Sequence, residues 1–276
     1  MDSIVLPSDF DVSQITYSEP RVLDNGGKVV YVSFNKKKLI MQTPEMMAPF
    51  GLSKWNNEGK ANDKYSLDLS FKGRDTREVL NKFYDGLKSF DKKLVEDGLN
   101  HCQTWLKKQY KSLDVVEALY TPIVKHAKDD KYPPTFKLSL PHNGSQFTCD
   151  VYDGNRNLVD IANLETKGAR VSAIIQCVGI WIAGSKYGCS WKVLQMKITP
   201  PSSIKGYAFK ELNEKVEDEV EDEGDDDDDS DDHKALMEDV AAVKVDDDDE
   251  DEAVIESDDE LDVKPVKTVV KKTVKK

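Results

Sequence analysis

Aromatic rings and lysines are interleaved in one short segment, "GIWIAGSKYGCSWKVLQMKI", which spans residues 179–198. Its rings and cations are Trp181, Lys186, Tyr187, Trp191, Lys192 and Lys197. Flat rings stack on planar groups, and ammonium groups bind anions. Two strand-like halves flank the glycine-containing "AGSKYG", so we interpret the segment as a β-hairpin. Such a band is typical of a surface that holds a flat, negatively charged ligand.

Rings and cations also occur together in three other regions. They are Tyr31 and Phe34 followed by Lys36, Lys37 and Lys38; Lys54 beside Trp55; and Phe71 followed by Lys72 and Arg74. Proteins that hold single-stranded nucleic acid combine a cationic groove with rings on which bases stack, at roughly 1–3 kcal/mol per base. We expect a small barrel to bring these regions to one face.

A structural role is the alternative for several of these residues. Trp181 lies in the apolar run "VGIWI", and Phe34 alternates with Val30 and Val32, so both rings also fit a core position. The three consecutive lysines also fit a solvated turn. Only the coincidence of rings and cations over several strands favours nucleic-acid binding.

The net charge of −13 is divided unevenly along the 276 residues. Residues 1–212 carry 30 Lys and Arg against 24 Asp and Glu, whereas residues 213–263 carry 3 Lys against 28 acids. Residues 264–276 carry 6 Lys and no acid. We therefore expect a mildly basic folded part, an acidic tail and a basic end.

Catalytic and metal-binding patterns are absent from the sequence. It contains no GxxxxGK[ST], GxGxxG, GxSxG or HExxH motif, and its four cysteines form no CxxC pair. We therefore predict a protein that is not an enzyme and that uses neither a metal nor another cofactor. Cys177 and Cys189 could face each other across the hairpin, and we expect them to stay thiols in a reducing compartment.

The sequence also predicts where the protein acts. No apolar run approaches the roughly 18 residues of a membrane span, and the start lacks the basic and apolar regions of a signal peptide. We expect a soluble, intracellular protein without a membrane partner.

Strand-like segments precede and follow one helical region. Alternating residues after Asn25-Gly26-Gly27 predict a strand in 28–43, and further strands are predicted at 65–73, 135–141, 145–153, 170–182 and 190–198. Asp75 is a candidate N-cap, Gly98 fits a helix stop, and the apolar spacing between them is helical. We predict a mainly β fold, an antiparallel barrel or sandwich, with helices inserted at about 75–120.

The acidic and basic ends have their own expected behaviour. Residues 213–263 bury too little apolar surface to offset chain entropy, so we expect a disordered tail. A tethered polyanion would occupy the cationic groove until nucleic acid displaces it. The basic end could pair with the acidic run, contact DNA or act as a nuclear-entry signal.

The hairpin block and the "RVSAIIQCV" before it resemble the single-stranded-DNA-binding proteins of large nucleocytoplasmic DNA viruses, a group related to that of bacteriophage T-seven. The upstream "YSLDLSFKG", the helical insertion and the acidic tail also occur in matching order along the chain. The resemblance implies an OB-fold and a role in viral DNA replication, recombination and repair. It also implies a tail that masks the groove and recruits a polymerase, helicase or primase, in the host nucleus or a cytoplasmic virus factory. The phage protein ends in an aromatic residue after its acids, whereas this chain ends in "KKTVKK".

We therefore expect a sequence-tolerant single-stranded-DNA-binding protein. An acidic chaperone for basic proteins such as histones, and a virion assembly protein, are the alternatives. The oligomeric state stays open, with a homodimer among the options, as does the choice between DNA and RNA.

Overall fold

A computed structural model describes residues 4–23, 26–55, 63–129, 131–202 and 209–210. The predicted acidic tail and basic end, and Asn25 of the predicted turn, lie outside these residues. No helix in the described part is long and apolar enough to cross a membrane.

The described residues form fifteen strands and three α-helices. The strands are β1 (Ile15–Tyr17), β2 (Arg21–Val22), β3 (Lys28–Val30), β4 (Val32–Phe34), β5 (Lys37–Lys38), β6 (Ile40–Gln42), β7 (Met46–Ala48), β8 (Leu52–Trp55), β9 (Lys64–Ser70), β10 (Tyr120–Thr121), β11 (Val124–Lys125), β12 (Thr135–Leu140), β13 (Asp150–Tyr152), β14 (Ala169–Ala183) and β15 (Lys186–Thr199). The helices are α1 (Glu78–Asn100), α2 (Cys102–Trp105) and α3 (Leu113–Leu119).

Strand pairing closes a barrel. Strand β14 pairs antiparallel with β6 and β7, β7 with β9, and β9 with β12. Strand β12 then lies parallel to β15 at Ser139 and Lys192, and β15 returns antiparallel to β14. Counted as β6–β7, β9, β12, β14 and β15, the five barrel strands have the order and directions of an OB-fold. The predicted mainly β, OB-like fold is confirmed.

Alternation along the strands separates the barrel interior from its surface. In β12, Phe136, Leu138 and Leu140 are buried, whereas Lys137 and Ser139 between them are more exposed. The same period of two recurs in β14, the longest strand. Gly184, with φ of 56°, begins the two-residue turn from β14 to β15, a position that favours glycine in a type II′ hairpin. The predicted hairpin is therefore present.

The region predicted as strand 28–43 is more broken than expected. Strands β3 and β4 are separated at Tyr31, and Asn35 and Lys36 both adopt positive φ in the turn between β4 and β5. Two consecutive positive φ values are the pattern of a type I′ hairpin turn. Strands β1, β4 and β5 form a second, three-stranded sheet.

The helical insertion lies between β9 and β12, as predicted. The apolar stripe of α1 is buried in the core: Leu80, Phe83, Leu87, Phe90 and Leu94. Two details differ from the prediction. Helix α1 begins after Arg77, with Asp75 in a preceding 3₁₀ turn, and it continues past Gly98 to Asn100. Gly98 is needed for close approach, because a Cβ there would lie 2.7 Å from Cζ of Tyr187.

A buried carboxylate holds the insertion to the barrel. Asp91 of α1 accepts hydrogen bonds from the Tyr120 hydroxyl (2.6 Å) and from the backbone N–H groups of Ile123 (2.8 Å) and Val124 (3.3 Å). Burial raises the pKa of Asp91, and these three hydrogen bonds oppose the increase. The side chain therefore fixes β10 and β11 against the helix.

Replacing Asp91 with alanine should lower the free energy of unfolding by about 2–5 kcal/mol, because three buried donors lose their acceptor. Urea unfolding followed by circular dichroism measures the change. Asp85→Ala is the matched control, since Asp85 is an exposed carboxylate of the same helix that accepts a hydrogen bond from Asn81. Equal losses in the two variants would contradict this role of Asp91.

Candidate nucleic-acid interface

The structure corrects the prediction for five of the proposed stacking rings. Phe34, Phe71, Trp181, Tyr187 and Trp191 are buried, with exposed fractions of 8%, 1%, 3%, 0% and 2%. A ring enclosed on both faces has no surface on which a base can stack. These five side chains therefore have a structural role, the alternative already raised for Trp181 and Phe34.

Two of the hairpin rings fill the space between the barrel and the insertion. Trp191 packs edge-on against Phe90 of α1 and Phe136 of β12, with ring centroids 6.4 and 5.9 Å apart. Tyr187 packs against Tyr120, and its hydroxyl donates to the Leu94 carbonyl at 3.3 Å. These contacts join the hairpin to the helical insertion.

Trp181 is buried on the other face of the hairpin. It lies opposite Gly188 in β15, and a Cβ at position 188 would lie 2.7 Å from Cζ2 of the indole. Glycine at 188 therefore leaves room for the ring.

Most of the other predicted cations and the Tyr31 ring lie on parts of the surface away from Trp55. Tyr31, Lys36, Lys37 and Lys38 are exposed on or beside the three-stranded sheet. Lys72 and Arg74 follow the far end of β9, Lys186 is at the hairpin tip, and Lys197 pairs with Tyr152 and Ser172. The Arg74 guanidinium lies 4.0 Å from the Tyr84 ring centroid.

Lys54 and Trp55 each form a cation–π pair with a residue on the neighbouring strand. Strand β8 pairs with β9 so that Lys54 is opposite Tyr65 and Trp55 is opposite Lys64. The Lys64 ammonium lies 5.3 Å from the Trp55 ring centroid, and the Lys54 ammonium lies 5.9 Å from that of Tyr65. Half of the Trp55 surface is exposed. Two cation–π pairs therefore lie at the same end of the barrel, and because side chains alternate along a strand, they lie on opposite faces of the β8–β9 ribbon.

Two further rings, His142 and Phe147, lie against Tyr65. Tyr65, His142 and Phe147 are mutually in contact, with ring centroids 4.8–4.9 Å apart. All three are partly exposed. We call Trp55, Tyr65, His142 and Phe147 the aromatic rim. The sequence analysis did not identify His142 and Phe147, which lie in the loop after β12. Only the pairing of Leu140 with Tyr65 indicates that this loop is near the start of β9.

A polar surface extends from the rim across the outer side of three barrel strands. We call it the polar face, and it consists of Lys64, Ser66, Asp68, Lys137, Ser139 and Lys192. Ser66 pairs with Ser139, which pairs with Lys192 across the barrel closure. With three lysines against one aspartate, the polar face favours an anion.

Lys54, beside the aromatic rim, forms an ion pair with Asp63. The Lys54 ammonium lies 2.7 Å from an Asp63 carboxylate oxygen, and this hydrogen bond raises the pKa of Lys54. Lys54 therefore remains cationic at neutral pH, and one of its three ammonium N–H groups is directed to Asp63.

The two hairpin cysteines face each other, as the sequence suggested. Their sulfur atoms are 3.4 Å apart and both are free thiols. Burial raises the pKa of the Cys189 thiol well above its usual value. Among the described residues, no group of three or more His, Cys, Asp or Glu could hold a metal ion.

Sequence comparison places the chain in a family. The family of unknown function DUF5871 matches residues 72–211, about half of the chain, and the chain belongs to that family. The uncharacterized protein L291 of Acanthamoeba polyphaga mimivirus is 31% identical over 183 residues. That match covers 64% of this chain but only 29% of the viral protein, so the chain spans less than a third of its relative.

Solved structures with a similar arrangement include phage proteins. The single-stranded DNA-binding protein gp2.5 of bacteriophage T7 has a TM-score of 0.39 at 10% identity, covering 63% of this chain and 98% of that one. The single-stranded DNA-binding protein of bacteriophage Enc34, in complex with single-stranded DNA, has a TM-score of 0.35 at 14% identity, covering 69% and 96%. At TM-scores below 0.5, the assignment of fold depends on the strand pairing of this chain itself.

Iodide should quench essentially one tryptophan, because Trp55 is half exposed whereas Trp105, Trp181 and Trp191 are 2–3% exposed. We expect Trp55→Phe to remove most of the iodide-quenchable emission. Trp181→Phe is the matched control and should leave the quenchable part unchanged. Strong quenching that persists in Trp55→Phe would show that a buried ring is open to solvent.

Proposed function

We propose that this protein binds single-stranded DNA with little sequence preference, with bases on the aromatic rim and phosphates along the polar face. The observation that carries the proposal is the paired arrangement of Trp55 with Lys64 and of Lys54 with Tyr65. It lies at the border of a surface with more lysine than acid on an OB barrel. Rings next to cations are what a strand of unpaired nucleotides requires.

The chemistry of the rim favours unpaired bases. A base in a duplex is already stacked on both sides, whereas an unpaired base can stack on a free ring such as Trp55. Stacking depends on the π face that all bases share, so it discriminates little among sequences. Phosphate contacts from Lys64, Lys137 and Lys192 add an attraction that weakens as salt rises.

The acidic tail supports a regulatory part of the proposal. Residues 213–263 carry a net charge of −25 and are tethered to a body of +6, so their effective concentration near the polar face is high. They would compete with DNA for the lysines, and DNA would displace them through its higher charge density. The released tail would then recruit replication proteins, and the chain would act in viral DNA replication, recombination and repair.

An acidic chaperone is the second candidate function, and the charge of residues 213–263 favours it. In that case the tail binds basic proteins and the barrel is a scaffold. Binding of histones that salt abolishes, with no effect of oligo-dT on Trp55 emission, would support this candidate and contradict the first.

Replacing Trp55 with alanine should weaken binding of oligo-dT roughly tenfold, which is about 1.4 kcal/mol and within the range for one stacked base. Fluorescence anisotropy of labelled oligo-dT measures the dissociation constant. Tyr132→Ala is the matched control, since Tyr132 is 45% exposed and pairs with Lys131 at 5.9 Å, beyond the opposite end of β12. Equal weakening by both variants, or by neither, would contradict the proposed rim.

Removal of residues 213–276 should tighten oligo-dT binding at low salt and have a smaller effect at high salt, because screening weakens the competing tail. A second variant that lacks only residues 264–276 separates the acidic run from the basic end. Duplex DNA of equal length should bind more weakly to each protein. If the long deletion fails to tighten binding, the masking mechanism is excluded.

A further inference from the structure

A groove between the N-terminal segment and the first half of α1 lies apart from the aromatic rim. Its lining includes Leu6, Asp11, Glu78, Val79, Lys82 and Asp85. Leu6 and Val79 are 43% and 57% exposed, so two large apolar side chains face solvent within one groove. Clustered exposed apolar residues in a soluble domain mark a docking surface.

The shape of the groove is built into the fold. Backbone hydrogen bonds join Val5 to Ile40 and Gln42, so the N-terminal segment follows the edge of β6. Phe10 packs against Phe34 and Phe90, at 5.8 and 5.9 Å between ring centroids. Phe10 thereby anchors the segment on α1, while Leu6 of the segment and Val79 of α1 remain exposed.

Three acidic side chains also line this groove. Asp11, Glu78 and Asp85 line the groove against Lys82 as the one lining cation among the described residues. Lys82 is already paired with Glu78 at 2.7 Å. Hydrogen bonds from Ser13 lower the pKa of Asp11, and a hydrogen bond from Lys82 lowers that of Glu78, so both are charged at neutral pH. The groove therefore combines two exposed apolar side chains with three carboxylates and one lysine.

The basic end of the chain has the complementary chemistry. Residues 264–276, "KPVKTVVKKTVKK", combine six lysines with valines at positions 266, 269, 270 and 274. More than sixty residues separate this segment from Ser202, enough chain at about 3.3 Å per residue to reach any point of the body.

We propose that residues 264–276 dock intramolecularly in this groove, with valines on Leu6 and Val79 and lysines against Asp11, Glu78 and Asp85. The groove offers exposed apolar side chains for the valines of the basic end and carboxylates for its lysines, both held in place by the fold. Tethering raises the local concentration of the segment above that of a separate partner. The inference is independent of DNA binding.

Zero-length carbodiimide cross-linking of the full-length protein tests the proposal, because it joins a lysine amine to a carboxylate in direct contact. We expect mass spectrometry to detect links from the lysines at 271, 272, 275 and 276 to the groove carboxylates. In a mixture of ¹⁴N- and ¹⁵N-labelled chains these links should contain a single isotope. Mixed-isotope links would overturn intramolecular docking and assign the groove to a second copy.

Two sets of variants keep the test specific. Leu6→Lys with Val79→Lys should reduce the groove links roughly tenfold, by removing apolar contact and adding repulsion. The matched control is Leu113→Lys with Val115→Lys on α3, whose side chains are 41% and 45% exposed, and it should leave the links unchanged. All four side chains are at the surface, so these variants should fold.

Replacing the four valines of residues 264–276 with serine separates apolar docking from charge pairing. We expect this variant to lose the groove links and to keep any links between its lysines and residues 213–263. Groove links that survive the valine substitutions, or links restricted to the acidic run in the unmodified protein, would overturn the proposal.

Discussion

Alternation of side chains in a closed barrel is the constraint on which the rest of the structure depends. The ring of strands closes where β12 meets β15, and there the Ser139 hydroxyl donates to the Trp191 carbonyl at 3.0 Å. Once closed, every second residue must face inward. Trp191 then fills the core while Lys192, its neighbour, is on the polar face. The same geometry that buries the apolar residues therefore lines the surface with lysines.

This constraint explains how much the sequence could predict. Periods of two and of 3.6 residues identified most barrel strands and helix α1, because each element buries one face. They also placed the two cysteines across the hairpin, where their sulfur atoms are 3.4 Å apart. The candidate site was harder to predict. Rings and lysines that are adjacent in a strand, such as Tyr187 and Lys186, point to opposite sides of the sheet. Their closeness in the sequence therefore suggested a shared surface that the alternation of side chains prevents.

Residues of the candidate site meet through pairing between strands that are distant in sequence. Trp55 reaches Lys64 across β8 and β9, and Tyr65 reaches His142 past the end of β12. Such neighbours depend on strand register, which periodicity does not specify. Local signals were also misleading at Gly98, where glycine suggested a helix end. Its actual role is to admit the Tyr187 ring, a long-range contact.

Strand β14 pairs with strands that lie outside the region matched by the family. Its edge is covered by β3, β6 and β7, all of which come from the first 48 residues, whereas the family match begins at residue 72. A fragment cut at that boundary would present β14 as a bare, apolar template and would be prone to self-association. The stretch of sequence that defines the family is thus smaller than the unit that can fold.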